Sequence, residues 1–471
     1  MSLENTHFGA VEIRGMLQNC NSIFFIGIGG ISMSSLAQLS AKAGYRVGGS
    51  DRGKSQLTQS LERQGIEVFL GHSAEHIDGY DAVVYTVAIS QDNPEYLAAK
   101  AAGKPLISRA DYMGYLMMDY STRIGIAGAH GKSTCTAMAA AIFLEARDAT
   151  ILCGAELPGL SHSSCRIGRE NETIVFEACE YMDSFLDFNP TLAVILNIRM
   201  DHLDYFHDIE QMRASFLNFV RRTGKNGTVL YNLDDEESEI TMADYEGNKV
   251  TYGIRYDADF NAQNIRFEND CSVFDLYRGE EYLCHILLPV CGKHNVYDAL
   301  AAAGAAILSG IDPQCVAHGL ADFEGAKRRM EYKGKHNGAM IYDDYGHHPD
   351  EIRATLAGAK QMGYRRIFCA YQPHTYSRTA GLMDAFATAF EDADRVFMVD
   401  IYAAREENVY GVSSAHLAER IGEKARYCGS FEATADAIKE EARDGDLVIV
   451  MGAGDVFKVF EYLFPPEEKK D

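Results

Sequence analysis

Short apolar runs that stop at a glycine- or acid-bearing loop, then give way to a helix-like segment, recur along the whole chain. SIFFIGIGG leads into ISMSSLAQLSAKAGY, whose apolar residues return at helical spacing. YRVGGSD, DAVVYTVAIS and NPEYLAAKAAG continue the alternation, with Pro94 near the start of the last segment. Strand, helix, strand in succession means a crossover on a sheet face, and so a parallel sheet. A second series opens at RIGIAGAHGKST, with the helix STCTAMAAAIFLEA behind the loop and the strands TIVFEA and TLAVILNI beyond it. A third follows Gly325, where AMIYDDYGHHP, RRIFCAYQPH, RVFMVDIY and DLVIVMGAGD each read as a strand ending in a polar loop. Between Tyr252 and Pro289 the texture changes. SVFDLYRG and EYLCHILLPV suggest antiparallel strands, and GKHNVYDALAAAGAAILSG a long Ala-rich helix. A chain of 471 residues has room for three domains. The breaks fall near 110 and 325, giving domains 1–110, 111–324 and 325–471.

The net charge is −24, from 44 basic and 68 acidic residues. An acidic body repels nucleic acid and anionic membranes, so neither is an expected partner. An anionic substrate must then be held by local positive charge or by metal ions. The 11 cysteines are odd in number, scattered, and never at C-x-x-C spacing. That fits a reducing cytoplasm and argues against a structural zinc site. The first twenty residues lack a basic start followed by an apolar run, so no signal peptide is expected. Apolar stretches such as 191–198 are far short of a membrane span, and no membrane insertion is expected.

In α/β sheets, ligands bind beyond the carboxyl ends of the strands, and there the chemistry-bearing residues gather. The first glycine turn holds Gly27, Gly29 and Gly30, then Ile31, with Ser32 where a dinucleotide fingerprint has its third glycine. Asp51 ends the next strand, about where a ribose-binding acid sits; a plain tight turn is the alternative. The second turn is Gly128-Ala129-His130-Gly131-Lys132-Ser133-Thr134. Backbone N–H groups at a helix start bind phosphate, Lys132 adds a point charge, and a Ser133 or Thr134 hydroxyl can reach Mg2+. The common pattern requires a glycine at position 126, where Ile126 stands. Glu177 and Glu180 end the strand after this helix, and a carboxylate there can hold Mg2+. Asp201-His202-Leu203-Asp204 follows another strand and can hold a second ion, or be an ordinary surface turn. Lys293-His294-Asn295 and Lys327-Arg328-Arg329 read either as site residues or as a helix start and a solvated basic run. Asp343 to His348 and Gln372 to Arg378 carry acids, His, Tyr and Arg at two strand ends. Such a set suits a small zwitterion, with Arg pairing its carboxylate and acids or His orienting its amine.

Taken in order, FFIGIGGISMSSLA, GSD, YTVAIS, GIAGAHGKST, EACEYMDSFLDFNP, LNIRMDHLDYF, GKHNVYDALAAA, AKRRMEY, DDYGHHPDEI, QPHTYSRT and GAGD resemble the motifs of the Mur ligases, in their alanine-adding branch. The resemblance covers nearly the whole chain. It implies an α/β fold of three domains: an N-terminal Rossmann-like domain for a UDP-sugar, a central P-loop ATPase-type α/β domain with an antiparallel sheet portion, and a C-terminal Rossmann-like domain for an amino acid. It implies ATP and Mg2+ as cofactors, UDP-N-acetylmuramate and L-alanine as substrates, and a cytoplasmic monomer or homodimer. ATP would phosphorylate the lactyl carboxylate, and the amine of L-alanine would displace phosphate from the acyl phosphate. Residue by residue, it implies Lys132 and Ser133 on the phosphates and first Mg2+, with Glu177 and His202 as metal ligands. His294 and Asn295 would lie at the nucleotide base, and Arg328 and Asp344 would meet ATP. Tyr345, His347, His374 and Arg378 would hold the acceptor, His347 with a catalytic part. Gly27, Gly29, Gly30, Ile31, Asp51, Thr86, Arg109 and Ser184 would face the UDP-sugar. ISMSS holds fewer glycines than the family's first loop, Ser133 stands where Thr is common, and EACEYMDS departs from the usual acidic string, leaving Glu180 without a role. Sister ligases use a carbamylated lysine downstream of the histidine, and no lysine occurs here between His202 and Lys225.

A peptide-recycling ligase that joins a tripeptide to the same sugar nucleotide is the nearest alternative; it usually has Phe-Ala where Tyr345-Gly346 stand. An NAD-dependent oxidoreductase built on the first glycine turn leaves everything after Ile126 unexplained. A catalytically dead relative is disfavoured by the intact Lys132, Glu177, His202 and Asp344.

Overall fold

The structure, a computed structural model, describes residues 3–464 apart from 162, 203, 204, 269 and 405. The chain divides into two compact units: residues 1–199, 208–261 and 300–319 form the first, and 200–207, 262–299 and 320–471 the second.

The first unit carries two sheets. Strands β1 (Ser22–Ile26), β2 (Arg46–Asp51), β3 (Glu67–Leu70), β4 (Ala82–Tyr85) and β5 (Leu106–Ser108) form an all-parallel sheet in the order β3-β2-β1-β4-β5. Every residue of β1 is buried, as a central parallel strand covered on both faces requires. The helix Ile31–Lys42 leaves the glycine turn directly after β1. The second sheet comprises β6 (Thr122–Ala127), β7 (Thr150–Leu157), β8 (Ser163–Arg166), β9 (Thr173–Glu177), β10 (Leu192–Ile195), β11 (Thr228–Asn232) and β12 (Asn248–Gly253). Their order is β12-β11-β10-β6-β9-β7-β8, with only β8 running antiparallel to its neighbour. The phosphate-loop strand β6 is therefore central, flanked by β10 and β9, and the loops after all three open at one edge. The helix Lys132–Ala146 is mostly Ala and small residues and buries Cys135, Thr136, Met138, Ile142 and Phe143.

In the second unit, β14 (Cys271–Arg278) and β15 (Glu281–Leu288) make an antiparallel hairpin with a bulge at Leu276/Tyr277; they follow β13 (Phe260–Glu268), which opens beside β12. The two segments expected to be antiparallel, SVFDLYRG and EYLCHILLPV, fall on β14 and β15 and pair that way, whereas β12 and β13 before them pair in parallel. The third sheet takes β16 (Glu331–His336), β17 (Ala339–Asp344), β18 (Ile367–Tyr371), β19 (Arg395–Val399), β20 (Ala425–Gly429) and β21 (Leu447–Met451) in the order β16-β17-β21-β18-β19-β20. Only β16 is antiparallel. Side chains alternate across this sheet: Ile367, Cys369 and Tyr371 pack with Ile352, Leu356 and Phe386, while Phe368 and Ala370 face Ala435, Ile438 and Val459. Among the described residues no helix is long and apolar enough to cross a membrane, and all 11 cysteines are free thiols.

Candidate functional site

The phosphate loop is shaped by two glycines and one asparagine. Gly131 caps the helix Lys132–Ala146 from the left-handed region (φ 86°) with no side-chain cap bond, so the first helical N–H groups point into the loop. Gly128 lies at φ 154°, and a Cβ there would come within 2.9 Å of Leu196 Cβ. Asn197, at the end of β10, clamps the loop: its Oδ1 accepts the His130 N–H (3.0 Å), its Nδ2 donates to the His130 carbonyl (3.0 Å), and its carbonyl accepts the Ala129 N–H (3.2 Å). Ile126 belongs to β6, as a loop with only two intervening residues demands. Lys132 Nζ donates to the carbonyls of Gly128 and Ala129 and to both carboxylate oxygens of the buried Glu180, at 3.1 and 3.0 Å. Burial opposes its charge, but Glu180 outweighs that and holds the ammonium above its ordinary pKa. Glu180, left open by the sequence, is thus the resting partner of the phosphate-loop lysine.

Glu177 ends β9 beside this loop. Its Oε1 accepts the Gly154 N–H (2.5 Å) and the Cys153 thiol (3.2 Å), and the same thiol reaches the Ser133 carbonyl (3.7 Å). A carboxylate oriented by two donors next to a half-turn carrying Ser133 fits Mg2+, which favours oxygen ligands. His202, the third expected ligand, belongs to the second unit and sits at φ 52°. Asp204, in the same motif, lies outside the described residues.

The first glycine turn closes on the end of β2. Gly27 (φ 84°) and Ile28 donate their N–H groups to the Ser50 carbonyl, and Gly29 donates to Asp51 Oδ2 (2.9 Å). A Cβ on Gly27 would meet Thr86 Cγ2 at 2.8 Å, and one on Gly29 would meet Asp51 Oδ2 at 2.8 Å. Gly30 caps the helix that Ile31 begins, again with no side-chain cap bond. Beneath the turn, Ser50 Oγ donates to the fully buried Glu95 (2.6 Å), whose carboxylate also takes His72 and His76, each at 2.8 Å. Glu95, His72 and His76 were not singled out in the sequence. Arg109 opens the helix Arg109–Met117 and lines a cavity with Ser32, Ser35, Gly154, Glu177 and Cys179. Burial pulls its pKa below the ordinary value. Of the expected residues, Arg109 from the sugar side and Glu177 from the metal side line this cavity together. Ser184 is engaged internally, donating to the Tyr181 carbonyl (2.8 Å) and accepting from Asn5 (3.2 Å).

In the second unit, the loops after β17 and β18 bring the four expected acceptor residues together. His347 stands 5.6 Å from Tyr345 and 5.7 Å from His374, ring centre to ring centre, and His374 stacks on Tyr402 at 5.5 Å. Burial lowers the pKa of both His347 and His374 to about 4, so both rings are neutral near pH 7. The His347 N–H is fixed by Glu351 (2.8 Å). Arg378 donates through Nη2 and Nε to Asp201 Oδ1, at 2.8 and 3.2 Å, and its Nη1 meets His374 Nδ1 at 3.1 Å. Asp201 is buried, and although burial opposes its charge, Arg378 holds its carboxyl well below the usual range. Tyr402, Glu351 and the pairing of Asp201 were not foreseen; the strand RVFMVDIY ending beside β18 is the signal that points to Tyr402.

Arg328 pairs with Asp343 rather than with Asp344. It sits at φ 58° and donates to the Gly452 and Gly454 carbonyls. Asp344 is buried, accepting the Met330 and Gly346 N–H groups at 2.9 Å each, and burial raises its pKa. His294 is sandwiched by Gly292 and Gly358, where added Cβ atoms would lie 2.7 and 3.2 Å from its Cε1, and burial lowers its pKa to about 4. Asn295 Nδ2 donates to the Cys291 carbonyl (2.7 Å).

Three family models match in succession: the Mur ligase family catalytic domain over residues 22–121, the Mur ligase middle domain over 126–306, and the Mur ligase glutamate ligase domain over 328–454. The chain is 43% identical over 447 residues to the UDP-N-acetylmuramate–L-alanine ligase of Clostridium novyi, covering 94% of this chain and 97% of that protein. It is 44% identical over 452 residues to that of Acetivibrio thermocellus, covering 95% and 96%. Among solved structures it resembles the UDP-N-acetylmuramate–alanine ligase MurC of Thermotoga maritima (TM-score 0.78, 26% identity, 94% of this chain and 98% of that one). It also resembles a murein peptide ligase of Psychrobacter arcticus (TM-score 0.66, 25% identity, the same coverage). Three matched domains and relatives covering 94% and 95% of the chain establish that this protein belongs to the Mur ligase family of ATP-dependent amide-forming ligases.

Proposed function

We propose that this protein joins L-alanine to the lactyl carboxylate of UDP-N-acetylmuramate, with ATP converted to ADP and phosphate, in peptidoglycan precursor synthesis in the cytoplasm. The observation that carries the reading is the match, over more than nine-tenths of both chains, to relatives that bear this activity in their names. The lactyl carboxylate oxygen attacks the γ-phosphorus, and the bond to the β-γ bridging oxygen breaks, releasing ADP. The L-alanine nitrogen then attacks the acyl carbon, the carbon–oxygen bond to phosphate breaks, and the amine loses its proton.

The first step brings two anions together, so positive charge must gather there. Lys132 supplies one charge, exchanging Glu180 for the γ-phosphate, while the N–H groups of the Gly131 turn take phosphate oxygens. Ser133, Glu177 and His202 are the residues that would hold Mg2+, which supplies charge neutralisation at the phosphates when bound. Arg109 and the Gly27–Ile31 turn with Asp51 and Thr86 would hold the sugar nucleotide. Ser184 would lie toward its muramyl end, and His294, Asn295, Arg328 and Asp344 on the ATP side. Arg378 would take the acceptor carboxylate. The neutral rings of His347 and His374 would accept hydrogen bonds from its amine without repelling it, beside Tyr345.

The test measures phosphate release from ATP in the presence of UDP-N-acetylmuramate and compares L-alanine with tripeptide. Release that depends on L-alanine is expected. Faster turnover with tripeptide would make this a recycling ligase, and no release with any acceptor would remove the ligase reading. Lys132→Ala is expected to abolish release while leaving UDP-N-acetylmuramate binding intact.

A further inference from the structure

We propose that Asp201 is a specificity-determining residue that occupies the acceptor's carboxylate position on Arg378, so that only a ligand bearing its own carboxylate can enter by exchange. The inference rests on the reading of Arg378 as the carboxylate receptor. The guanidinium edge that a carboxylate takes as a fork consists of Nε and Nη2, and both already donate to Asp201 Oδ1, at 3.2 and 2.8 Å. The remaining Nη1 is turned to His374 Nδ1. Arg378 and Asp201 have side-chain exposures of 11% and 6%, so this is an enclosed pair rather than a surface contact.

The surroundings match a small amino acid. His374, stacked on Tyr402, and His347 stand around the guanidinium. Asp201 contributes a carboxylate to the place where theirs would be the natural guest. An empty site with a bare buried arginine would carry an uncompensated charge, which is strongly unfavourable. Filling it with a tethered carboxylate removes that cost. Exchange of one carboxylate for another leaves the charge balance of the site unchanged, whereas a ligand that cannot supply an anion would leave Arg378 unpaired. Discrimination thus comes from the penalty on the wrong ligand as well as attraction to the right one. Asp201 Oδ1 also accepts the His202 N–H (2.7 Å), so three N–H groups converge on one oxygen.

The arithmetic sets the size of the effect. A site that is competent only when the internal pair is open binds its ligand more weakly by the open fraction; if the pair is closed nine times in ten, the loss is roughly tenfold. Asp201→Asn keeps the shape and the acceptor oxygen for His202 but removes the competing charge. The expected result is a KM for L-alanine that falls roughly tenfold, with KM for ATP and for UDP-N-acetylmuramate unchanged. Calorimetric binding of L-alanine to the enzyme, without turnover, should tighten in parallel. L-alaninamide, which lacks the carboxylate, should gain nothing. A KM for L-alanine that stays the same or rises would overturn the proposal and make Asp201 a mere support for Arg378. An equal gain for L-alaninamide would overturn it as well. Arg378→Lys separates the two layers: if that variant leaves KM for L-alanine unchanged, Arg378 is not the receptor and the underlying reading of the site fails first.

Discussion

Glu177 is held by what its neighbour lacks. A Cβ on Gly154 would lie 2.6 Å from Glu177 Oε2, while the Gly154 N–H fixes the other oxygen. The clash falls on the end of a flexible side chain, which can move away with little strain, so Gly154→Ala should displace the carboxylate rather than the fold. We expect kcat to drop about 100-fold, the order seen when one preorganised group that stabilises transition-state charge is lost, with a melting temperature close to wild type. Steady-state kinetics beside thermal unfolding checks this, and a normal kcat would mean that Glu177 is not needed where it stands. Lys132, Glu177 and Asp344 could be read from the sequence because each follows an apolar strand. Their partners could not. Glu180, Asn197 and Asp201 lie within quoted motifs, yet nothing in a linear string says which carboxylate faces which cation once the strands are side by side.

At the level of elements, the N-terminal segment is tied to the helix Arg109–Met117 through two buried side chains, Ser108 at the helix cap, which bonds Thr6, and Asp111. Asp111 accepts from Thr6 Oγ1 (2.8 Å), the Phe8 N–H (2.6 Å) and the Gly9 N–H (3.1 Å), while His7 pairs with Asp187 at 2.6 Å. Asp111→Ala would strand these donors, at a cost of about 1–3 kcal/mol. Hydrogen exchange should then speed up at Phe8 and Gly9 while the amides of β6 keep their protection; unchanged exchange at Phe8 would show that the segment is held by other contacts. Binding of UDP-N-acetylmuramate should weaken too, since Arg109 lies in the same helical turn. The central strands β1, β6, β18 and β21 were legible because they are buried on both faces and read as continuous apolar runs. The edge strands β3, β16 and β20 were not: their residues are largely half-exposed or exposed, so neither an apolar run nor a clean alternation marks them. β7 is broken by Gly154, which erodes the strand signal at the point where function needs the gap.

Across the whole molecule, three half-buried histidines, His294, His347 and His374, have pKa values near 4 rather than 6.5, with desolvation the leading cause in each. Between those values the unfolded chain binds protons that the folded chain refuses. Their contribution to stability is therefore complete above pH 6.5 and is lost as pH falls toward 4. Asp187 and Asp343, raised to about 6, act in the opposite sense, so the net slope for wild type mixes both. A difference isolates the effect. The stability of wild type relative to His347→Gln/His374→Gln should decline from pH 6.5 to 4, as read by urea unfolding at several pH values; a constant difference would mean that these rings titrate normally. The order of motifs carried the three-domain α/β architecture and the family, because eleven short signals in sequence leave few alternatives. The buried pairs were invisible for the reason that makes them interesting: they depend on packing that brings residues 201 and 378 to one place. That pair has a use beyond the enzyme itself. On the proposed reading of Arg378 as the acceptor's receptor, a side chain that fills that receptor is a template for medicinal chemistry. It marks where an inhibitor's carboxylate should sit on Arg378, and the stacked faces of His374 and Tyr402 show where a flat ring could be appended to it.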